Sequence, residues 1–309
     1  MSHKVVCIGA ALVDELYFCK EPVIIGTSNP ASVNRFVGGV MSNISQHLAL
    51  LEIEAHYITV FGNDSDAGWM IQHLNRKHIS TKDSKFIEGA SGKYTSIQDK
   101  DGSLFTAVCV DICEKQLLPE HFESKKDLLL SAELILTDTN VPIETIDWLI
   151  RFSRENQKKL VIEPVSVVKA RKLKELDLTG VFMMTPNEDE ARSICASEND
   201  SFEELGNKLL SKGVENVWIR YGSRGSTLFT STSTTSVSVP NINVIDSTGA
   251  GDSALAAWVF AFLAGYTVEK SIETAHTLAF EVLQQKGAVY EKLTPELLKQ
   301  KTEYYYGTK

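Results

Sequence analysis

The sequence has no cysteine pair at Cys-x-x-Cys spacing; its five cysteines stand at 7, 19, 109, 113 and 195. A scattered, odd-numbered set gives no disulfide framework and no structural zinc site, and fits small core residues in a reducing cytosol. The seven histidines form no metal-ligand cluster. No apolar run is long enough to span a bilayer, the longest being 254–264. Val5–Ala11 faintly mimics a signal peptide, but Asp14 and Glu15 follow at once, so a buried first strand and a cytoplasmic protein are expected. Basic residues are in the minority: 31 Lys and Arg against 40 Asp and Glu give a net charge of −9 over 309 residues. That sign disfavours a nucleic-acid partner, which needs a basic stripe. A Walker A loop is absent, and no Gly-x-Gly-x-x-Gly follows the first strand, so neither a P-loop nor a dinucleotide fold has support. No helix-turn-helix pattern precedes that strand.

What is present is alternation. β-rich runs at 5–8, 57–61, 134–137, 160–163, 182–184 and 217–220 are separated by segments of helical period. These predict helices over about 41–51, after an Asp66 cap, around 143–150, from Phe202 to a stop at Gly213, over 254–264 and over 268–285. This order predicts an α/β fold with a mostly parallel central sheet and helices on both faces. Two stretches, about 14–37 and 86–112, break the alternation. The second reads as a hairpin turning at Asp101-Gly102. Together they predict a small β-sheet lid on a single domain, the plainer alternative being two surface excursions.

The segment with most chemistry is Asp246-Ser247-Thr248-Gly249-Ala250-Gly251-Asp252, which leads directly into a helix. Small residues let the backbone approach a ligand, and the helix start offers unpaired amides and a partial positive charge that suit a phosphate. Two readings stand for Asp252. It is a favourable acid at the helix dipole, or it is a general base taking a proton from a substrate hydroxyl while the amides stabilise the transferring phosphoryl group.

Residues 246–257 closely resemble the second signature of the ribokinase-like (PfkB) carbohydrate and nucleoside kinases. Gly38-Gly39-Val40-Met41-Ser42-Asn43 resembles the first signature. Thr185-Pro186-Asn187-Glu188-Asp189-Glu190 resembles the family's Asn-x-x-Glu motif, and Arg220-Tyr221-Gly222-Ser223-Arg224-Gly225 its Gly-x-x-Gly turn. The resemblance runs from the first strand to the last helices and implies a three-layer ribokinase-like fold. It implies Asp252 as catalytic base, with the amides of Gly249, Ala250 and Gly251 as an anion hole. Asp14, Gly39 and Asn43 would hold the ribose-like part of the acceptor. Arg220, Gly222 and Gly225 would lie along ATP, and Asn187 and Glu190 would hold Mg²⁺ through water. Asp246 and Thr248 would help bind a monovalent cation such as K⁺. Plainer readings remain: Asn187 as a helix N-cap after proline, Asn43 as a polar residue within a helix, and the glycines of 222–225 as a hairpin turn.

Within the family, Thr27-Ser28-Asn29-Pro30, Asp138-Thr139-Asn140 and Glu163-Pro164-Val165-Ser166-Val167-Val168-Lys169-Ala170 resemble the pseudouridine-kinase subgroup. Glu163 departs from it, standing where aspartate is usual. Asn29, Lys93 and Asn140 become candidates for the acceptor pocket, since amides supply both donor and acceptor to a nucleobase. Lys169 is read either as a partner for the ATP phosphates or as a solvated helix-end charge. The expected activity is ATP-dependent phosphorylation of a small-molecule nucleoside or sugar, most specifically pseudouridine at its 5′-hydroxyl. A homodimer through the lid is expected, as is no membrane partner. A kinase for ribose, adenosine or another sugar is the first alternative, and a non-catalytic nucleoside sensor the second.

Overall fold

The computed structural model describes residues 3–307. In chain order the strands are β1 (Lys4–Ile8), β2 (Leu12–Cys19), β3 (Ala31–Gly38), β4 (Glu54–Ile58), β5 (Val60–Phe61), β6 (Lys85–Phe86), β7 (Lys93–Gln98), β8 (Leu104–Val110), β9 (Leu134–Asp138), β10 (Lys159–Glu163), β11 (Val181–Met184), β12 (Asn216–Arg220), β13 (Ser226–Thr230) and β14 (Thr234–Val237). Eight of them form one sheet in the order β14-β13-β12-β11-β10-β9-β1-β4. Pairing is parallel from β4 to β12 and antiparallel at the β12-β13-β14 edge.

The parallel strands are apolar on both faces because helices cover both. Val6, Ile8, Ile135 and Ile162 point to one side, against Ile146 and Leu149 of helix Ile143–Asn156 and Ile194 of helix Glu188–Cys195. Val5, Cys7, Leu136 and Val161 point to the other. There they meet Met41, Ile44 and Leu48 of helix Val40–Leu50, and Leu255 and Val259 of helix Ala250–Leu263. The carboxyl ends of these strands line up along one edge of the sheet, the edge at which open α/β sheets take ligands.

A second sheet, β3-β2-β7-β8, is built from the two stretches that break the alternation. Its hairpin turns where expected, with Gly102 at φ 86° and the Asp99 amide bonded to the Ser103 carbonyl. Strand alternation gives this sheet two chemical faces. Asp14 sits beside Phe36 and Tyr94 on one face. Lys93 sits beside Val13 on the other, next to the row of Glu15 and Arg35.

The structure moves two helix starts. Helix Ala250–Leu263 begins four residues before the apolar run that signals it, because the small residues 250–253 already take helical backbone. Helix Ser65–Arg76 is capped by Asp64 rather than by Asp66. The Asp64 carboxylate accepts from the Ala67 amide at 2.8 Å and from the Ser91 amide and hydroxyl at 2.7 Å each. Asp66, inside the first turn, pairs instead with Arg35 and Lys93. Replacing Asp64 with alanine is expected to lower stability by about 1–2 kcal/mol. Urea unfolding checks this, and a loss below about 0.5 kcal/mol contradicts the cap.

Candidate active site

Two helix N-termini meet at the strand ends. Gly39 precedes helix Val40–Leu50 at φ 100°, and a Cβ there would lie 2.0 Å from the Ala10 carbonyl oxygen, so no other residue fits. Its neighbour Gly38 leaves room for a carboxylate: a Cβ at 38 would overlap both oxygens of Asp14. The Gly-Gly pair therefore seats Asp14 against the start of the helix. Asn43, one turn in, is buried and donates its Nδ2 to Oδ2 of Asp252 at 2.8 Å.

Asp252 lies in the first turn of the second helix and is partly exposed. No side chain caps that helix. The turn 246–249 is instead pinned by Asp246, whose carboxylate accepts from the amides of Thr248 at 2.9 Å and Gly287 at 3.1 Å. Gly249 takes φ 76° against Ala288, where a side chain would collide. Of the first-turn amides, that of Ala250 makes a long 3.4 Å bond to the Ser247 carbonyl, while those of Gly251 and Asp252 lack acceptors within the helix and remain available to an anion.

Burial pushes the Asp252 carboxyl up to about 7, and the charge of Glu163 adds to this, while Asn43 and Arg220 pull it down. Asp14 also rises to about 7, first by burial and then by the charge of Asp252. Behind them lies a compact ionic group. Glu163, at the end of β10 and 4% exposed, takes Arg220 Nη2 on both oxygens at 2.9 Å and the Thr185 hydroxyl on Oε2. The extra methylene that distinguishes Glu163 from aspartate is used to reach these protein groups. Glu190, 3% exposed, is raised by burial and by Glu163.

Several expected residues keep different company. Asn187 and Glu190 form a reciprocal capping box: each side chain accepts from the other's backbone amide at 2.9 Å. The plainer reading of Asn187 is thus what its contacts display, although it stays exposed at the strand edge. Gly222 and Gly225, at φ 60° and 94°, make the turn between β12 and β13, and Arg224 within it pairs with Glu188. Arg220 is turned inward, not along that exposed turn. Lys93 does not join Asp14. Alternation puts it on the opposite face, where it pairs with Glu15 at 3.3 Å and Asp66 at 3.0 Å. Asn29 spends its amide on its own loop, bonding Ile24 N, Ile24 O and Thr27 O. Lys169 is held by Asp111 at 2.8 Å and by Asn140, which groups it with the acceptor candidates and uses the charge offered to ATP. Asp138, which sequence motifs name without a role, is fully buried, and its Oδ2 has no hydrogen-bond partner.

A carboxylate beside a phosphate-ready helix start, facing an Asp and a Gly-Gly turn, is an arrangement for moving a phosphoryl group onto a hydroxyl. The pfkB family carbohydrate kinase model matches residues 2–295. The chain belongs to this PfkB family and is a carbohydrate or nucleoside kinase. It is 24% identical over 276 residues to the pseudouridine kinase of Escherichia coli K12, covering 88% of this chain and 87% of that one. It is equally 24% identical, over 265 residues, to the ribokinase of Staphylococcus aureus COL, covering 84% and 86%. The structure of Arabidopsis thaliana ribokinase complexed with ribose and ATP superposes with a TM-score of 0.86 at 19% identity, covering 98% and 99%. The PfkB fold, ribokinase-like with one large mostly parallel sheet and a smaller one, is therefore established, and the acceptor is a sugar or a nucleoside.

The buried acids carry a stability signature. The Asp138 carboxyl is pushed up to about 7 by burial. Between about pH 4 and 7 the folded chain keeps a proton that the unfolded chain has released, so this group's contribution to stability falls as pH rises. Above 7 the full cost of a buried charge remains. Asp138→Asn is expected to raise stability at pH 8 by of the order of 2–4 kcal/mol, with the gain shrinking towards pH 5. Chemical denaturation at both pH values checks this, and a pH-independent difference contradicts it.

Proposed function

We propose that this PfkB kinase transfers the γ-phosphoryl group of ATP to the 5′-hydroxyl of pseudouridine. The observation carrying the reading is the partly exposed Asp252 carboxylate, fixed by Asn43 beside an uncapped helix start. Asp252 takes the hydroxyl proton as the oxygen–phosphorus bond forms and the bond from γ-phosphorus to the ADP oxygen breaks. The amides of Gly249, Ala250 and Gly251 stabilise the transferring group. Asp14 and Asn43 orient the ribose. Because the base must be ionised, and burial sets Asp252 at about 7, activity rises with pH through that region.

Asn140, Lys169 and Asp111 make a polar end for the acceptor pocket suited to the donors and carbonyls of a nucleobase. The subgroup motifs at 138–140 and 163–169 support pseudouridine over ribose. Similarity to both kinds of kinase at equal identity makes ribose the second reading.

Among the described residues, no group of three or more His, Cys, Asp or Glu could hold a metal alone. The cluster nonetheless fits Mg²⁺. Glu163, Glu190 and Asp252 surround a single guanidinium, an excess of negative charge that a divalent cation relieves. Glu190 and Asn187 would hold it through water, sharing it with the nucleotide phosphates, and when bound it neutralises phosphate charge. Asp246 and Thr248 are the residues to which K⁺ would be assigned.

The smaller sheet serves as a lid whose Asp14 face closes over the acceptor and excludes water. Its opposite face exposes Val33, Val108 and Val110, an apolar surface that supports pairing of two lids in a homodimer. Among the described residues no helix is long and apolar enough to cross a membrane; the free cysteines fit a reducing cytoplasm.

A coupled ADP assay with pseudouridine, ribose, adenosine and guanosine tests the reading. The expected outcome is the highest kcat/KM for pseudouridine, with Asp252→Asn lowering kcat by about a hundredfold or more. A preference for ribose transfers the assignment to the second reading. Unchanged turnover in Asp252→Asn removes the base.

A further inference from the structure

Arg220 is the last residue of β12, and its guanidinium lies inside the fold, with the side chain 15% exposed. One nitrogen, Nη2, is fully engaged: it donates to both oxygens of Glu163 and to the Thr185 carbonyl. The other two, Nε and Nη1, are buried without a hydrogen-bond partner. Nη1 lies 2.7 Å from the point a Gly251 Cβ would occupy. The guanidinium therefore fills the volume that the missing side chain leaves beneath the anion-binding turn, one residue before Asp252.

This is an unusual use of a charge. A buried cation with idle donors is costly unless something else needs it. Glu163 balances it, but a buried Glu-Arg pair alone gives no reason to aim the spare donors at the turn. Burial lowers the affinity of the guanidinium for its proton, yet Glu163, Glu190 and Asp252 outweigh that and keep it charged. The same charge opposes the rise of the Asp252 carboxyl.

We propose that Arg220 is a positioning residue for phosphoryl transfer: clamped by Glu163, its guanidinium props the turn at Gly251 and sets the field in which Asp252 and the first-turn amides act. This rests on the kinase reading above and deepens it, moving Arg220 from the nucleotide's flank to the floor of the transfer site. Glu163 acts through Arg220, and Gly251 is required because a methyl group there would displace the guanidinium. Four neighbours surround Asp252: Asp14 from β2, Asn43 from helix Val40–Leu50, Glu163 from β10 and Arg220 from β12. Of these, only Arg220 brings positive charge.

The test measures kcat and KM by ADP release across pH 5.5 to 9 on the full chain, with melting curves alongside. Pseudouridine is the acceptor, or ribose if pseudouridine is not turned over. Removing Arg220 alone leaves Glu163 buried and unpaired, which destabilises the fold. The decisive protein is therefore the double variant Arg220→Met with Glu163→Gln, which leaves neither charge behind; Arg220→Lys and Asp252→Asn are run beside it. The proposal expects the double variant to keep its fold and its KM for ATP within about threefold while kcat falls by about a hundredfold. It expects Arg220→Lys, which keeps the positive charge beneath the turn, to retain more turnover than the double variant. A kcat within about threefold of wild type overturns it, as does a raised KM for ATP with kcat preserved, which puts Arg220 along the nucleotide. If the double variant does not fold, Arg220→Lys decides. A folded protein with kcat lowered about tenfold supports the proposal, and one with wild-type kcat overturns it. If Asp252→Asn loses turnover and the Arg220 variants do not, only this inference fails. If Asp252→Asn keeps its turnover, the reading beneath it fails.

Discussion

The hydrogen bond from Asn43 to Asp252 spans 209 residues of sequence and joins the first turns of two helices. Everything at the site is arranged around keeping that carboxylate near a helix start without burying it completely. A charge placed there gains from the dipole and from Asn43, and loses by desolvation and by its neighbours Asp14 and Glu163. The balance leaves it near neutrality, where a base is most useful, because it must be ionised to accept a proton and basic enough to hold one.

The sheet supplies the frame. Six parallel strands end along one edge and deliver Gly9, Asp138, Glu163, Asn187 and Arg220 to the same neighbourhood, while the second sheet brings Asp14 from the other side. The result is an excess of buried acids over buried cations. Such a surplus costs stability in the empty protein, so the residues that make the site and the stability of the fold are set against each other here. The glycines belong to the same logic. Gly38 makes room for Asp14, and Gly251 for the Arg220 guanidinium; each absent side chain is replaced by a charged group from elsewhere in the chain.

Much of this was legible in the residue order. Continuous apolar runs marked the parallel strands, Asp-Gly marked the hairpin, and the motifs at 38–43 and 246–252 marked the two helix starts now joined by one hydrogen bond. What eluded sequence reasoning was direction. Lys93 and Tyr94 are neighbours in sequence, yet alternation sends them to opposite faces, and nothing local says which face meets Asp14. Asn29 and Lys169 have the right chemistry for ligands, but their partners lie in a loop and in Asp111, which only the fold brings close. Asp66 has the form of a cap, and Asp64 takes the role because its second oxygen also reaches Ser91. The ionic group of Glu163, Thr185 and Arg220 comes from three strand ends, and long-range pairing of that kind leaves no spacing in the chain.

If Asp252 works as a base, the phosphoryl group passes once, straight from nucleotide to alcohol; if it works as a nucleophile, the group passes twice. The stereochemical course separates these most directly. With ATP made chiral at the γ-phosphorus by oxygen isotopes, inversion of configuration in the phosphorylated product is the result the account predicts. Retention would show two displacements through a phosphorylated protein intermediate and would contradict it.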